Sequence, residues 1–428
     1  MGLLILFALF FFLLGAGVPI AYALGVASLA TFFYEGIAPA IAFQRVIGGL
    51  AIYSLIAVPF FIFAGELMLR GGIGTRLVNL CLALVGRVRG GLGQVNVISS
   101  MVFGGISGSA VADTSALGSM LIPMMEKAGY DKDYAVNVTV TSSLAGIVIP
   151  PSHNMVLYAL AAGGAASISN LFIAGIVPGI LMCLSLCVAA YVVAVKRDYP
   201  RSPFPGIRQT LIHALDAIPG ILTGFIIVGG VLSGVFTVTE SAAIGVIYAL
   251  VIIIFLYRSL TLEGLLESLK ATVRTTAMVM ILVATASSFA YLLSIYRMPE
   301  LVMTTLQGIS DNPIVILLLI NVSFLILGCF MDMAALILIC TPIFLPVAVS
   351  AGMEPVQFGI LMMMNLGLGL TTPPVGACLF LGCTIGGIKM EQTVRTIWPF
   401  YLAIFVVLML VTYVPQVSLW LPNLLLGE

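Results

Sequence analysis

Apolar residues along this chain come in long unbroken runs, not in the alternation of a half-buried strand or the narrow stripe of a soluble helix. A run of ~20 apolar residues is the length that crosses a bilayer as a helix. Such runs predict spans near 3–16, 19–34, 48–70, 134–164, 169–195, 216–234, 240–257, 272–296, 357–386 and 397–421. Two further apolar stretches, 92–125 and 313–350, are interrupted by Gly, Ser, Asp and Pro, and each reads as a re-entrant hairpin. The stretch 75–89 is too short and too polar to cross. Lipid cannot hydrogen-bond exposed backbone, so spans must be helices or a closed barrel. Barrel strands alternate polar and apolar residues, and these runs do not. The expected fold is therefore an all-α polytopic membrane protein.

Composition agrees: 61% of the 428 residues are hydrophobic and 8% are charged, against roughly 25% charged in a soluble domain. The 17 basic and 17 acidic residues cancel, and without a basic face or tail, nucleic acid is excluded as a partner. The seven cysteines lie in apolar stretches with no C-x-x-C pair, so they read as small core residues. Two histidines are too few for a His-based metal site. The N-terminal run lacks a basic flank and an A-x-A cleavage site, and is expected to be a retained first span. Cytoplasmic loops collect Lys and Arg. With the N-terminus outside and both interrupted stretches as hairpins, all but two of the 17 basic residues fall inside. The exceptions are Arg45 and Arg297.

The halves repeat each other at an offset of 223. Gly105 matches Gly328, Pro123 matches Pro346, Gly146 matches Gly369, Pro150-Pro151 matches Pro373-Pro374 and Gly163-Gly164 matches Gly386-Gly387. Glycine and proline fix backbone shape, so what repeats is geometry. An odd number of crossings per half inverts the second, giving inverted repeats over 1–215 and 216–428, each with a hairpin (92–125, 313–350) and a broken helix (134–164, 357–386). Inverted repeats with broken helices are the mark of secondary transporters.

Mid-membrane Pro-Pro removes two backbone donors and breaks the helix. Carbonyls freed near Gly146, Ile149, Gly369 and Thr372 then need partners, and a sodium ion takes such oxygens. The hairpin tips add Gly105, Ser107 and Ser109 in one half and Gly328 and Asp332 in the other, predicting two pseudo-symmetric sodium sites. A Pro kink satisfied by a neighbouring helix is the plain alternative. Intramembrane ionisable residues are costly and functional by default. Asp113 is expected either to act there or to cap its hairpin arm, and Glu66 either to pair within the membrane or to sit at its edge. Glu240 follows Thr237-Val238-Thr239 and reads as a cap. His153 reads as a satisfied core histidine. Arg297, after a span and before the second hairpin, is placed to hold a carboxylate bidentately or to snorkel at the interface.

The runs GGISGSAVADTSALGSMLIPMMEKAGYDKDYA, LAGIVIPPSHNMVLYA, GVFTVTESAAIGV, MDMAALILICTPIFLPV and LGLTTPPVGACLFL resemble the large membrane subunit of TRAP transporters, over nearly the whole chain and most closely the sialic-acid branch. The resemblance implies an elevator-type carrier, in which a domain holding both hairpins slides past a fixed scaffold. It implies sodium-driven import of an organic acid, such as sialic acid or a C4-dicarboxylate, across a bacterial inner membrane. Two partners follow from it: a small four-helix membrane subunit, expected here on a separate chain, and a periplasmic substrate-binding protein. It places ligand contact at Ser107, Ser152, Arg297 and Asp332, with sodium at the tips and breaks. No cofactor is expected. No G-x-x-x-x-G-K-[ST] motif occurs, so ATP is not expected to drive the chain.

Other readings have their own requirements. An intramembrane enzyme needs a catalytic constellation such as H-E-x-x-H, and none is present. A passive channel needs polar lining along several helices, whereas the polar residues here cluster at two points. A carboxylate transporter that works without a binding protein is the nearest alternative.

Overall fold

A computed structural model describes residues 1–203 and 205–426, with every side chain except that of Ile106. Every regular element among the described residues is helical. Among the described residues, six helices are long and apolar enough to cross a membrane, or eight if each of two bent pairs is one span. Of the ten predicted spans, 3–16 and 19–34 are the single but shorter helices Gly2–Gly15 and Ile20–Tyr34, and 357–386 is divided at its Pro-Pro pair into Pro355–Leu370 and Ala377–Gly386, while one of the six, Met333–Ser350, is an arm of the second predicted hairpin.

The predicted span 48–70 is two elements. An amphipathic helix, Pro39–Leu50, ends after the Gly48-Gly49 pair, and Ala57–Arg70 begins beyond a short 3-10 turn. The run 397–421 breaks into Trp398–Tyr413 and Gln416–Leu426, bent by 58°. The cause is Pro415, which pushes Val414 out of the helical region to φ −120°, ψ 90°. In contrast, the helix over the predicted span 272–296 extends beyond it. It is Leu262–Ile295, starting at a Thr261 cap that accepts from the Gly264 amide at 3.1 Å. Its first turns carry Glu263, Glu267, Lys270 and Arg274, which end a hydropathy run without ending a helix. At 34 residues it measures about 50 Å, longer than a hydrocarbon core of ~30 Å. The connection after it holds a further helix, Met298–Gln307, too short and amphipathic to register as an apolar run.

Both interrupted stretches are helical hairpins. The first is Gly91–Ser107 and Ala110–Lys127; the second is Pro313–Gly328 and Met333–Ser350. Their second arms start the same way. Ser109 accepts from the Ala112 amide at 3.3 Å, and Asp332 accepts from the Ala334 amide at 2.9 Å. These two caps stand at the repeat offset of 223. Each satisfies one of the orphan amides of a helix start.

The broken helices follow. Lys132–Ser142 and Ala145–Val148 give way to His153–Ala161, with a 52° bend at the break. Pro355–Leu370 gives way to Ala377–Gly386. The halves interlock: Ala110–Lys127 of the first hairpin packs on Ala377–Gly386, while Met333–Ser350 of the second packs on His153–Ala161. A separate group of helices surrounds the long helix Leu262–Ile295, which packs on Ile20–Tyr34, Pro39–Leu50 and Ala57–Arg70.

Candidate functional site

In the first half, the hairpin closes on the break through glycines. A Cβ on Gly146 would stand 2.3 Å from Gly104 Cα, a separation no side chain allows. Gly105 lies beside it, where a Cβ would meet Ile149 Cγ2 at 2.9 Å and the Pro150 carbonyl oxygen at 3.4 Å. At the tip, Gly108 takes φ +63°, and a Cβ there would meet Ser152 Cα at 3.1 Å and His153 Nδ1 at 3.2 Å. Asn154 donates to the Gly108 carbonyl at 3.4 Å. Ser107 and Ser152 are thereby brought to one place. Ser152 is fully buried, its hydroxyl has no partner, and it does not cap the helix it precedes. The tip also touches the surrounding helices: Gly65 approaches Ser107 so closely that a Cβ there would lie 3.2 Å from Ser107 Cα.

The second half repeats this with different side chains. A Cβ on Gly369 would stand 2.5 Å from the Gly328 carbonyl carbon. The Val375 amide donates to the Cys329 carbonyl at 3.3 Å across the break. Thr372 Oγ1 donates to the Leu368 carbonyl at 2.8 Å, which leaves its lone pairs available to a cation. Tyr401 donates to the Thr371 carbonyl and pins the break from outside. Both Pro-Pro bonds, 150–151 and 373–374, are cis. Burial separates the two sites. Pro150, Pro151 and Ser152 are buried, whereas Asp332, Pro374 and Val375 are exposed, so the second tip faces open space.

The remaining candidates sort by contact. Arg297 does not meet Asp332. It is exposed, takes φ +50°, and pairs with Glu300 at 3.7 Å. Asp332 is compensated instead by the helix start it caps. Glu66 pairs with Arg70 at 3.7 Å, and Arg70 also bonds Glu267. Glu240 closes a capping box with Thr237, as its spacing predicts. Asp113 is not a cap, because Ser109 takes that place. His153 is not a satisfied core histidine: its Nδ1 is buried and without a partner. The seven cysteines are unpaired, five of them buried.

Residues 7–417 match the profile of a family described as the tripartite ATP-independent periplasmic transporter, DctM component. The chain belongs to that family. It is 39% identical to the sialic acid TRAP transporter large permease protein SiaM of Vibrio cholerae, over 97% of each chain. It is also 39% identical to the C4-dicarboxylate TRAP transporter large permease protein DctM of Pseudomonas aeruginosa, over 87% of this chain and 86% of that one. Among solved structures, the YdaH transporter of Alcanivorax borkumensis superposes with a TM-score of 0.60 at 14% identity, covering 86% of this chain and 87% of that one; this likeness speaks for the fold alone. The chain is thus a multi-pass TRAP-type large permease and not an enzyme.

Sequence reasoning about this DctM-family chain missed Gly104, the glycine that meets Gly146. The repeat offset pointed to Gly105, and only the Gly-Gly doublet signalled that its neighbour shared the contact. It also missed the buried amides that brace the second break. Asn365 donates to Asn321 Oδ1 at 2.7 Å, and Asn321 donates to Thr412 Oγ1 at 3.2 Å. Asparagines inside predicted spans were the available signal, since a buried amide needs partners.

Proposed function

We propose that this chain is the membrane-spanning carrier of a sodium-coupled importer of an organic acid in a bacterial inner membrane, fed by a periplasmic binding protein and completed by a small membrane subunit. The observation that carries this reading is the paired geometry of the breaks: in each half, a glycine-to-glycine contact seats a hairpin tip against a broken helix. Freed carbonyls and half-helix ends are the ligands a sodium ion takes in secondary transporters. Gly105, Ser107, Gly146 and Ile149 supply one site, and Gly328, Gly369 and Thr372 supply the other. Ser109 contributes through its backbone, its hydroxyl being committed to the cap.

The substrate then lies between the tips. Ser107 and Ser152 offer hydroxyls on the buried side, and Asp332 offers hydrogen bonding on the open side. Arg297 is the outer member of the set, its exposed guanidinium able to exchange the 3.7 Å contact with Glu300 for a substrate carboxylate. The two 39% relatives are named for sialic acid and for C4-dicarboxylates, so the shared chemistry is a carboxylate on a polar organic acid. The interlocked hairpins and broken helices form the sliding body of an elevator, and the helices around Leu262–Ile295 form its frame. An apolar cavity of about 260 Å³ lies beside the first break, bounded by Gly105, Ile149 and Pro150 on one side and by Ile221, Phe225 and Val228 of Ile207–Leu232 on the other.

Reconstitution with the small subunit, with and without the binding protein, tests the assembly. Uptake is expected only when the binding protein is present. Robust uptake of free substrate without it would favour a carboxylate transporter that works alone.

A further inference from the structure

One charged residue inside the interlocked core has no role in either sodium site. Asp113 sits in the first turn of Ala110–Lys127, is 1% exposed, and has no hydrogen-bond partner for either carboxylate oxygen. No ion pair reaches it among the described residues. The hydroxyl of Ser100, on the facing arm of the hairpin, lies near the carboxyl but makes no hydrogen bond with it. Ser100 is held there by a hydroxyl-to-hydroxyl contact with Ser142 at 3.0 Å, and the Ser142 hydroxyl also lies 3.2 Å from Asn96 Oδ1. The adjacent Thr114 hydroxyl is buried and unpartnered too. The thiols of Cys183 and Cys378 lie within electrostatic range of the carboxyl. Cys378 belongs to Ala377–Gly386, the far piece of the other half's broken helix, so Asp113 lies where the two repeats interlock.

A bare carboxylate cannot remain at such a place; it must be paired, coordinated or neutralised. The groups around it are oxygens and thiols with no basic side chain among them. Oxygen is the ligand a hard cation takes, and a carboxylate opposite a braced serine supplies the charge and one neutral donor.

We propose that Asp113 anchors a third cation site, in which a sodium ion held by its carboxylate and the Ser100 hydroxyl travels with the loaded carrier. The proposal rests on the sodium-coupled reading above and adds one ion to it.

The test compares wild type with Asp113→Asn, the isosteric mimic of a neutral acid. Two quantities are read: sodium-22 bound per purified chain, and the sodium Hill coefficient of uptake by the reconstituted transporter. Asp113→Asn is expected to bind one sodium fewer and to lower the Hill coefficient by about one, while uptake remains sodium-dependent. An unchanged count and coefficient would mean that the side chain is a permanently protonated acid, overturning the proposal. If Asp113→Asn yields no folded protein, Asp113→Glu decides. It is expected to keep the wild-type sodium count and raise the half-saturating sodium concentration several-fold, and an unchanged concentration overturns the site. Wild-type uptake that ignores sodium would instead bring down the underlying carrier reading, a result distinct from either of these.

Discussion

Asp332 joins a structural role seen in the fold to the role in transport proposed above. Its carboxylate caps the second arm of its hairpin at 2.9 Å from the Ala334 amide while the side chain faces open space. Asparagine is as good a cap as aspartate, so Asp332→Asn is expected to leave thermal stability within about 0.5 kcal/mol and to reduce uptake sharply. Asp332→Ala is expected to cost about 1 kcal/mol as well. Arg297 is the complementary case. An exposed ion pair is worth ~0–1 kcal/mol, so its contact with Glu300 gives it little to do for stability. Arg297→Lys is expected to fold normally and fail in uptake, because lysine cannot grip a carboxylate bidentately. Wild-type uptake by both Asp332→Asn and Arg297→Lys, normalised to folded protein, would remove both residues from the transport site. Residue identity at these points was legible because charges are rare in this chain and each stands out. Partnership was not: sequence position placed Arg297 near the second hairpin, but only the structure shows its side chain beside Glu300 at 3.7 Å.

Among elements, the hairpin-to-break contacts decide whether a site forms. Gly146 meets Gly104 and Gly369 meets Gly328 with room for no side chain. Gly146→Ala and Gly369→Ala are expected to lower stability by about 1–3 kcal/mol, the range of overpacking, and to weaken sodium affinity as each hairpin is pushed from its break. Gly229→Ala is the control: Gly229 lies inside Ile207–Leu232, and nothing stands within 4 Å of an added Cβ. Thermal unfolding with and without sodium reads the difference, and equal behaviour of all three variants would contradict the seating of the hairpins. The breaks themselves could be read from the chain, since Pro-Pro at a fixed repeat offset is a local signal. The extent of the neighbouring helices could not, because hydropathy runs stop at the first charges of Leu262–Ile295 and run through the divisions at Ala51–Ile52 and at Val414. Helix ends there are set by caps and by the residue before a proline, not by hydrophobicity.

At the scale of the whole molecule, the interlock of the halves makes two distant breaks one mechanical unit. Each hairpin's second arm packs on the other half's broken helix, which joins the two breaks in one packed body. That coupling was not visible in the repeat, which showed similar pieces but not how they cross. It is also what a carrier needs if sodium is to drive the substrate. The most direct measurement is uptake into proteoliposomes holding both membrane subunits, with the binding protein outside and the sodium gradient set independently of pH. An inward sodium gradient is expected to concentrate the organic acid, equal sodium on both sides to abolish accumulation, and Thr372→Val to demand more sodium for the same rate. Accumulation that persists without a sodium gradient, with Thr372→Val indistinguishable from wild type, would contradict the account.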